Sequence, residues 1–213
     1  MLYFVVSTAL SRAGAREKEQ RTRGVVAKGG ERDAVQVMAN GGVFALCALG
    51  TLVASAERTP ALATAAVGAL AAATADTWAT EVGTLVGGTP RALFSFGQVA
   101  PGTSGAISAA GTAAMLAGAL FVALTAQLLG VADALMAVAI AGAAGALTDS
   151  VLGATVQERR WCDACARGTE RRVHDCGAAT RQVGGVGGVD NDAVNLAATL
   201  TGALVAALLA FRR

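Results

Sequence analysis

Two carboxylates interrupt one of the most apolar stretches of the chain. Asp76 and Glu81 lie in DTWATEVG, residues 76–83, at the end of a long run of alanine, leucine, valine and glycine. An ionisable side chain in hydrocarbon costs about 3 kcal/mol or more, so it persists where it faces a bundle interior or a polar cavity. With Thr80 four residues after Asp76, the segment predicts a hard-cation site of the kind that takes Mg²⁺. The alternative is a packing pair whose carboxylates are hydrogen-bonded to neighbouring helices.

A third acid lies in another apolar segment, GALTDSVLGATVQ at residues 145–157. Gly145, Asp149 and Gly153 are spaced four residues apart, so they share one face of a helix. A second helix can approach closely over the two glycines and contact the carboxylate. Asp149 is therefore a further candidate functional residue.

Polar residues also mark the beginning of the segment RDAVQVMAN, residues 32–40. Arg32, Gln36 and Asn40 lie on one helical stripe, and Asp33 is adjacent. Arg32 is a candidate phosphate ligand because a guanidinium donates two hydrogen bonds to a phosphate. The alternative is an interfacial arginine whose charged group reaches the headgroup region.

Two shorter patterns add candidates. PGTSGAISAAG, residues 101–111, is rich in glycine and leads into an apolar segment, so backbone N–H groups with Thr103 and Ser104 could bind an anion at a helix N-terminus. A turn before a closely packed helix explains the same residues. NDAVN, residues 191–195, places Asn191, Asp192 and Asn195 at the start of the last apolar segment, where the first two could equally be N-caps.

The most specific local pattern is C-x2-C-x8-H-x-C, formed by Cys162, Cys165, His174 and Cys176. Four such ligands in a short loop fit tetrahedral Zn²⁺, and occupation of all four positions by protein indicates a structural site. The alternatives are free thiols or a disulfide, which a reducing cytoplasm disfavours.

These residues require a scaffold of apolar helices. The chain has 213 residues, of which 54% are hydrophobic and 15% charged, whereas soluble domains carry about 25% charged residues. Aromatic residues make up only 4%, which disfavours a β-barrel, and small residues suit helix packing in lipid. We predict an all-α, polytopic transmembrane bundle of about five to six spans. Five are near residues 34–56, 61–86, 104–129, 131–155 and 192–211, and residues 1–10 look like the tail of another span or an interfacial anchor.

The whole chain, 1–213, is predicted to be one membrane domain with a Cys/His loop at 156–190 resembling a zinc knuckle. The 17 lysines and arginines cluster, with seven in 11–33 and six in 156–190. The positive-inside rule places both basic segments in the cytoplasm, and the four spans between them are consistent with that. We therefore expect a multi-pass cell-membrane protein whose polar motifs meet at the cytoplasmic face. Because the net charge is only +2 and acids alternate with bases, no nucleic-acid partner is expected.

The motifs, taken in order, resemble one polytopic membrane family. This family includes the chloroplast phytyl-phosphate kinase of plants and animal transmembrane protein 19, and its prokaryotic members carry a similar CxxC–HxC loop. The resemblance covers about residues 20–210 and rests on RD-x2-Q-V-x-A-N-G (32–41), ADTWATE-x-G (75–83), PGTSGAIS-x2-G (101–111), G-x-L-x-DS-x-LGAT-x-Q (145–157) and ND-x-VN (191–195). Family members usually carry further apolar spans before the segment that matches Met1, so we expect either that the chain is truncated at its N-terminus or that its start was misassigned.

The resemblance implies a kinase that converts an isoprenyl monophosphate into a diphosphate, with a nucleotide, CTP being expected, as donor. Phosphoryl transfer between polyanions depends on metal ions and cationic groups. We therefore expect Asp76, Glu81 and Asp149 to bind Mg²⁺, and Arg32 with Lys28 to offset phosphate charge. Asp192 is expected to be catalytic, and the remaining cofactor-binding candidates are Asp33, Gln36, Asn40, Thr80, Thr103, Ser104, Asn191 and Asn195.

Two other functional classes stay open. One is a transporter of a small solute or lipid, with Asp76 and Asp149 as coupling-ion sites. The other is a non-catalytic scaffold whose zinc loop binds a partner. Convergence of polar residues at one membrane face favours an enzyme that joins a water-soluble reactant to a lipid, because transporter sites more often lie at the midplane.

Overall fold

The computed structural model describes residues 2–26, 33–86 and 88–210, and is mostly helical along them. Seven helices occur in these ranges: α1 Leu2–Arg12, α2 Ala15–Thr22, α3 Ala34–Gly50, α4 Thr59–Val86, α5 Ala109–Leu128, α6 Leu135–Thr155 and α7 Asn191–Ala210. Five short strands accompany them: β1 Arg91–Ala92, β2 Ala106–Ile107, β3 Arg159–Cys162, β4 Arg167–Thr169 and β5 Arg181–Gly184.

Helix α4 lies at the centre of the bundle and packs against α3, α5, α6 and α7. It buries twelve residues between Thr64 and Thr77, and all twelve are alanine, glycine, threonine or valine. A Cβ on Gly202 of α7 would lie 2.6 Å from the backbone oxygen of Gly68, and one on Gly145 of α6 would lie 2.7 Å from that of Ala198. Small residues thus let the helix backbones approach closely, as is typical of helix packing in lipid.

Within the part of the chain that the structure describes, three helices, α5, α6 and α7, are long and apolar enough to cross a membrane, and α3 is a shorter apolar helix. Their outer faces carry large apolar side chains at helical spacing, such as Leu116, Leu120 and Leu124 on α5. This arrangement is expected when lipid surrounds the bundle. The helical membrane bundle predicted from the sequence is confirmed to this extent, and the number of spans stays a prediction.

The helix boundaries differ from the predicted ones. Helix α3 ends at Gly50, several residues before the predicted end at 56, because residues 51–53 turn out of the helix. Helix α5 begins at Ala109 and not at 104, because the Ser108 hydroxyl accepts a hydrogen bond from the N–H of Gly111 at 3.1 Å and caps the helix.

The structure adds five short strands to the predicted all-α bundle. The segment between α6 and α7 contains a three-stranded antiparallel sheet in the order β4–β3–β5, and β1 pairs with β2 elsewhere. In the larger sheet Cys162 faces Arg167, and Trp161 faces Gly168 on one side and Arg181 on the other. The Cys/His loop is therefore a small folded unit. Each of its strands has only three or four residues, which is too few for a periodic signal.

Candidate functional site

A cavity of about 470 Å³ lies at one end of the bundle. It is formed by the C-terminal parts of α4 and α6, the N-terminus of α5 and the loop at 101–108. We call it the acidic cavity, because Asp76, Asp149 and Glu170 all line it. The other polar lining residues include Thr80, Thr103, Ser104, Thr112, Ser150, Gln157 and Asn191.

The three carboxylates come from separate elements that meet at the acidic cavity. Asp76 belongs to α4, Asp149 belongs to α6, and Glu170 follows β4. Oδ2 of Asp149 is buried and has no hydrogen-bond partner among the described residues. Because a buried carboxylate oxygen without a partner is costly, it calls for an ion or a water molecule. Carboxylates with nearby hydroxyl and amide groups form the donor set that Mg²⁺ or Ca²⁺ prefers.

Sequence reasoning did not find Glu170. Its Oε1 accepts hydrogen bonds from the Ser104 hydroxyl and from Nε2 of Gln157, the latter at 2.9 Å. Gln157 lies two residues after the end of α6 and is 3% exposed. No spacing in the sequence relates Glu170 to Asp149, because its position depends on the path of the strand before it. The only available signal was that it lies between the two pairs of zinc-ligand candidates.

The loop at 101–108 reaches α6 only because it contains glycine. Gly105 has a φ of +70°, and a Cβ there would lie 2.6 Å from the Ser150 backbone oxygen and closer still to the Ala154 nitrogen. Glycine adopts this left-handed conformation at little cost and leaves room for the contact. The approach holds Ser104 within hydrogen-bonding distance of Glu170.

Glu81 faces a different environment from Asp76. Its carboxylate accepts a hydrogen bond from the Ser11 hydroxyl at 2.6 Å and forms an ion pair with Lys18 of α2. The Lys18 ammonium also donates to the backbone oxygens of Leu10 and Ser11, at 2.9 and 2.8 Å. Lys18 thereby caps α1 and ties α1 and α2 to α4, which is favourable for a cation at a helix C-terminus.

A second cavity of about 470 Å³ adjoins the first and is called here the loop cavity. Gln157, Glu170 and Asn191 line both cavities. The loop cavity also takes in Gln36 from α3, the buried Asp192 from α7, and both Arg171 and Arg172 after β4. Its walls come mainly from the Cys/His segment and the beginnings of two helices.

The predicted site residues therefore divide into groups. Six line the acidic cavity: Asp76, Thr80, Thr103, Ser104, Asp149 and Asn191. The loop cavity takes Asn191 as well, together with Gln36 and Asp192. Lys28 and Arg32 lie outside the described residues.

Four candidates have other surroundings. Glu81 is paired with Lys18, as described above. Asp33 caps α3 by accepting a hydrogen bond from the N–H of Gln36 at 2.9 Å. Asn40 donates to the Gln36 backbone oxygen at 3.0 Å, and Asn195 is buried within α7. Neither asparagine is among the residues that line the two cavities.

The Cys/His residues form a compact cluster. The candidate ligand atoms of Cys162, Cys165, His174 and Cys176 all lie within 4.8 Å of one another. The Cys162 and Cys176 sulfurs are 3.7 Å apart, and Nδ1 of His174 is 3.3 Å from the Cys176 sulfur. Tetrahedral Zn²⁺, with Zn–S of about 2.3 Å and Zn–N of about 2.0 Å, requires about 3.8 and 3.5 Å for these pairs. The residues thus fit a zinc ion.

The thiols in this cluster differ in acidity. A hydrogen bond from the Ala178 backbone, followed by one with His174, lowers the pKa of Cys176 to about 6. The hydrogen bond with Cys176 raises the pKa of Cys165 to about 11. Cys176 is therefore the more acidic of these two thiols, and a thiolate is the form that binds a metal.

The sheet beside the cluster is held by an ion pair. Glu158 pairs with Arg160, and the N–H of Gly188 donates to the Glu158 carboxylate at 2.7 Å. The backbone hydrogen bond from Gly188, with help from Arg160, lowers the pKa of Glu158. Arg160 also donates to the Thr180 hydroxyl at 2.8 Å, which joins β3 to the start of β5.

Residues 1–203 match the profile of a family described as integral membrane protein DUF92. Protein PGR of Arabidopsis thaliana is 29% identical over 224 residues, which cover 94% of this chain and 76% of that protein. The uncharacterized membrane protein MJ0933 of Methanocaldococcus jannaschii is 31% identical over 144 residues, covering 67% of this chain and 49% of that protein. No solved structure shows a significant match.

Proposed function

Because the chain belongs to the DUF92 family of integral membrane proteins, we propose that it is a membrane-embedded phosphotransferase acting on an isoprenyl monophosphate. A nucleotide, with CTP the expected donor, supplies the phosphoryl group, and the product is an isoprenyl diphosphate. The observation that carries this proposal is the meeting of Asp76 and Asp149 in one cavity at the end of an apolar bundle, with Oδ2 of Asp149 buried there.

In this proposal Asp76 and Asp149 hold Mg²⁺, which draws charge from the phosphates during transfer. An oxygen of the isoprenyl monophosphate attacks the terminal phosphorus of the nucleotide. A new P–O bond forms as the bond to the β-phosphate oxygen breaks, and the nucleoside diphosphate leaves with that electron pair. The attacking oxygen is already ionised, so no strong general base is needed.

The cavity walls support a role for both a lipid and a phosphate. Met115 of α5 and Leu147 of α6 give the acidic cavity an apolar side between two membrane-capable helices, where an isoprenyl chain can lie. Hydroxyls of Thr80 and Ser150 and the amide of Asn191 line its polar side and can donate to phosphate oxygens. We propose that this end of the bundle faces the cytoplasm, since the basic segments belong to the same end.

The Cys/His cluster is proposed to hold a structural Zn²⁺ ion. The support is the spacing of the sulfur and nitrogen atoms, which matches a closed four-ligand site. Glu81 is proposed to act indirectly, by holding α1 and α2 against α4 through Lys18.

The test is transfer of radiolabelled phosphate by the purified protein from CTP or ATP to several isoprenyl monophosphates, with and without Mg²⁺. Asp76→Asn and Asp149→Asn are each expected to lower the rate about 100-fold or more, because charge stabilisation in the transition state is lost. Glu57→Gln, at an exposed carboxylate in the turn before α4, is the control and should not change it. Full activity of Asp76→Asn, or no labelled diphosphate with any acceptor, refutes the proposal. Ion-coupled solute uptake into liposomes would instead indicate a transporter.

A further inference from the structure

We propose that the turn directly after β1 inserts into the lipid headgroup layer and holds the mouth of the acidic cavity at that depth. The turn consists of residues 93–96 and is called here the aromatic turn, because it carries Phe94 and Phe96. Its insertion does not depend on any reaction. The use made of it, which is to admit a lipid phosphate to the cavity, rests on the proposed function.

The first argument is exposure. Phe94 is 64% exposed and Phe96 is 61% exposed, although the whole chain has only six phenylalanines. Leaving such rings in water forgoes the free energy that their burial would give. Aromatic and leucine side chains on a surface segment are typical of a segment that lies in the boundary between headgroups and acyl chains.

The second argument is the backbone of the turn. The N–H of Phe96 donates to the Ala92 oxygen and the N–H of Ala92 donates to the Gly97 oxygen, both at 2.9 Å. Nη1 of Arg91 donates to the Phe96 oxygen at 2.7 Å. These bonds hold Phe96 at a φ of +54°, a conformation that is costly for a bulky residue. They also satisfy backbone polar groups within the turn, which favours its entry into a layer poorer in water.

The third argument is depth. Helix α5 has 20 residues, and at about 1.5 Å per residue it spans about 30 Å, the thickness of the hydrocarbon core. Its first residue, Ala109, therefore lies near one edge of that core. Strand β2 ends two residues earlier and pairs with β1, with Arg91 opposite Ile107 and Ala92 opposite Ala106. The aromatic turn leaves β1 at this level, which is the level of the headgroups.

The fourth argument is charge. Arg91 is the only charged residue between positions 82 and 132, whereas the basic segments 11–33 and 156–190 are dense in charges of both signs. A lone exposed cation is favourable beside anionic headgroups. No carboxylate of the same stretch opposes insertion of the turn. The composition therefore favours a lipid surface as the partner of the two rings.

The aromatic turn is rooted in the wall of the acidic cavity. Pro90, which precedes β1, lines this cavity, and so do Ala106 and Ile107 of β2. With the turn among the headgroups, the cavity opens at the depth where the phosphate of an isoprenyl monophosphate in the bilayer lies. The lipid substrate then reaches the cavity without leaving the membrane.

The experiment measures tryptophan fluorescence of the full chain in bilayers, with lipids brominated either near the headgroup end or near the methyl end of the acyl chain. Phe94→Trp and Phe96→Trp are made separately, and the signal of the two native tryptophans is subtracted as background. The added emission should be quenched most by bromine near the headgroup end. Leu120→Trp, on the outer face of α5, should be quenched most by bromine near the methyl end. Val183→Trp, at an exposed position of β5, should be quenched by iodide in the water and not by either lipid.

If tryptophan at positions 94 and 96 behaves like tryptophan at 183, the turn faces water or a protein partner and the inference is refuted. The role in lipid entry has its own measurement. Phe94→Ser/Phe96→Ser should raise KM for a long-chain isoprenyl monophosphate in the bilayer about 10-fold, as losing the burial of a phenylalanine allows. Its kcat/KM for a short, water-soluble isoprenyl monophosphate should stay unchanged, and equal losses with both acceptors would refute this role. If the lipids quench both introduced tryptophans but no phosphate is transferred, the insertion stands and the proposed reaction falls.

Discussion

Replacing Gly105 by alanine should displace the loop that lines the acidic cavity and so impair the site as well as the fold. The new Cβ would lie 2.6 Å from the Ser150 backbone oxygen, whereas ordinary contact begins at 3.4 Å. The Ala154 nitrogen is closer still, so the loop must move by about 1 Å, and a misplacement of about 1 Å costs about 100-fold in rate. Ser104 moves with the loop and loses its hydrogen bond to Glu170.

Gly130→Ala is the matched control. Gly130 has a φ of +65°, close to the +70° of Gly105, but a Cβ there meets nothing within 4 Å. Both variants incur about 1–2 kcal/mol for a left-handed alanine. Gly105→Ala adds the cost of the overlap, about 1–3 kcal/mol, so its melting temperature should fall further. Only Gly105→Ala should lose phosphate transfer in the folded fraction.

The assays are labelled phosphate transfer and thermal unfolding of the two variants side by side. Equal activity of Gly105→Ala and Gly130→Ala would show that the close approach of the loop to α6 does not matter for the site. A loss confined to stability, with full activity in the folded fraction, would contradict the reasoning in the same way.

Two further outcomes are expected. Lys18→Met should lower the free energy of unfolding by about 2 kcal/mol, because it leaves the Glu81 carboxylate, which is only 21% exposed, without its ion-pair partner. In thermal melts, the Lys18→Met/Glu81→Gln double variant should recover most of this loss. If the double variant is no more stable than the single one, the ion pair is not the cause. Zinc affinity should fall as pH falls, because Cys165, with a pKa of about 11, must lose a proton to bind the metal. The affinity should fall more steeply below about pH 6, where Cys176 also becomes protonated. Metal analysis after dialysis across pH 5–8 measures this, and zinc retention independent of pH would count against the cluster as the site.

The sequence was sufficient where a residue contradicted its surroundings. Asp76 and Asp149 each lie in an apolar helix. Because burying a charge in an apolar environment is costly, the sequence predicts that these side chains face one another or a cavity. Both of them line the acidic cavity. The apolar runs likewise located the helices, although the capping by Ser108 and the turn after Gly50 set their ends.

The sequence was insufficient to place residues whose surroundings depend on contacts with distant parts of the chain. Glu170 lies in a segment already rich in charge, and its place in the cavity depends on the strand register and on the carbonyls of Val25 and Val26. The partner of Glu81, Lys18, lies 63 residues away in a charged segment with no apolar periodicity. Asp76 and Glu81 are five residues apart, so their side chains point to different sides of the helix. This spacing does not identify the residues that each carboxylate contacts.

The central position of α4 has a consequence for how the protein is made. The helix carries Asp76 and Glu81, and its buried stretch consists of alanine, glycine, threonine and valine. Helices α5, α6 and α7, which cover it, are all synthesised after it. Until the C-terminal part of the chain has been made, the faces of α4 that these helices cover therefore lack their native partners.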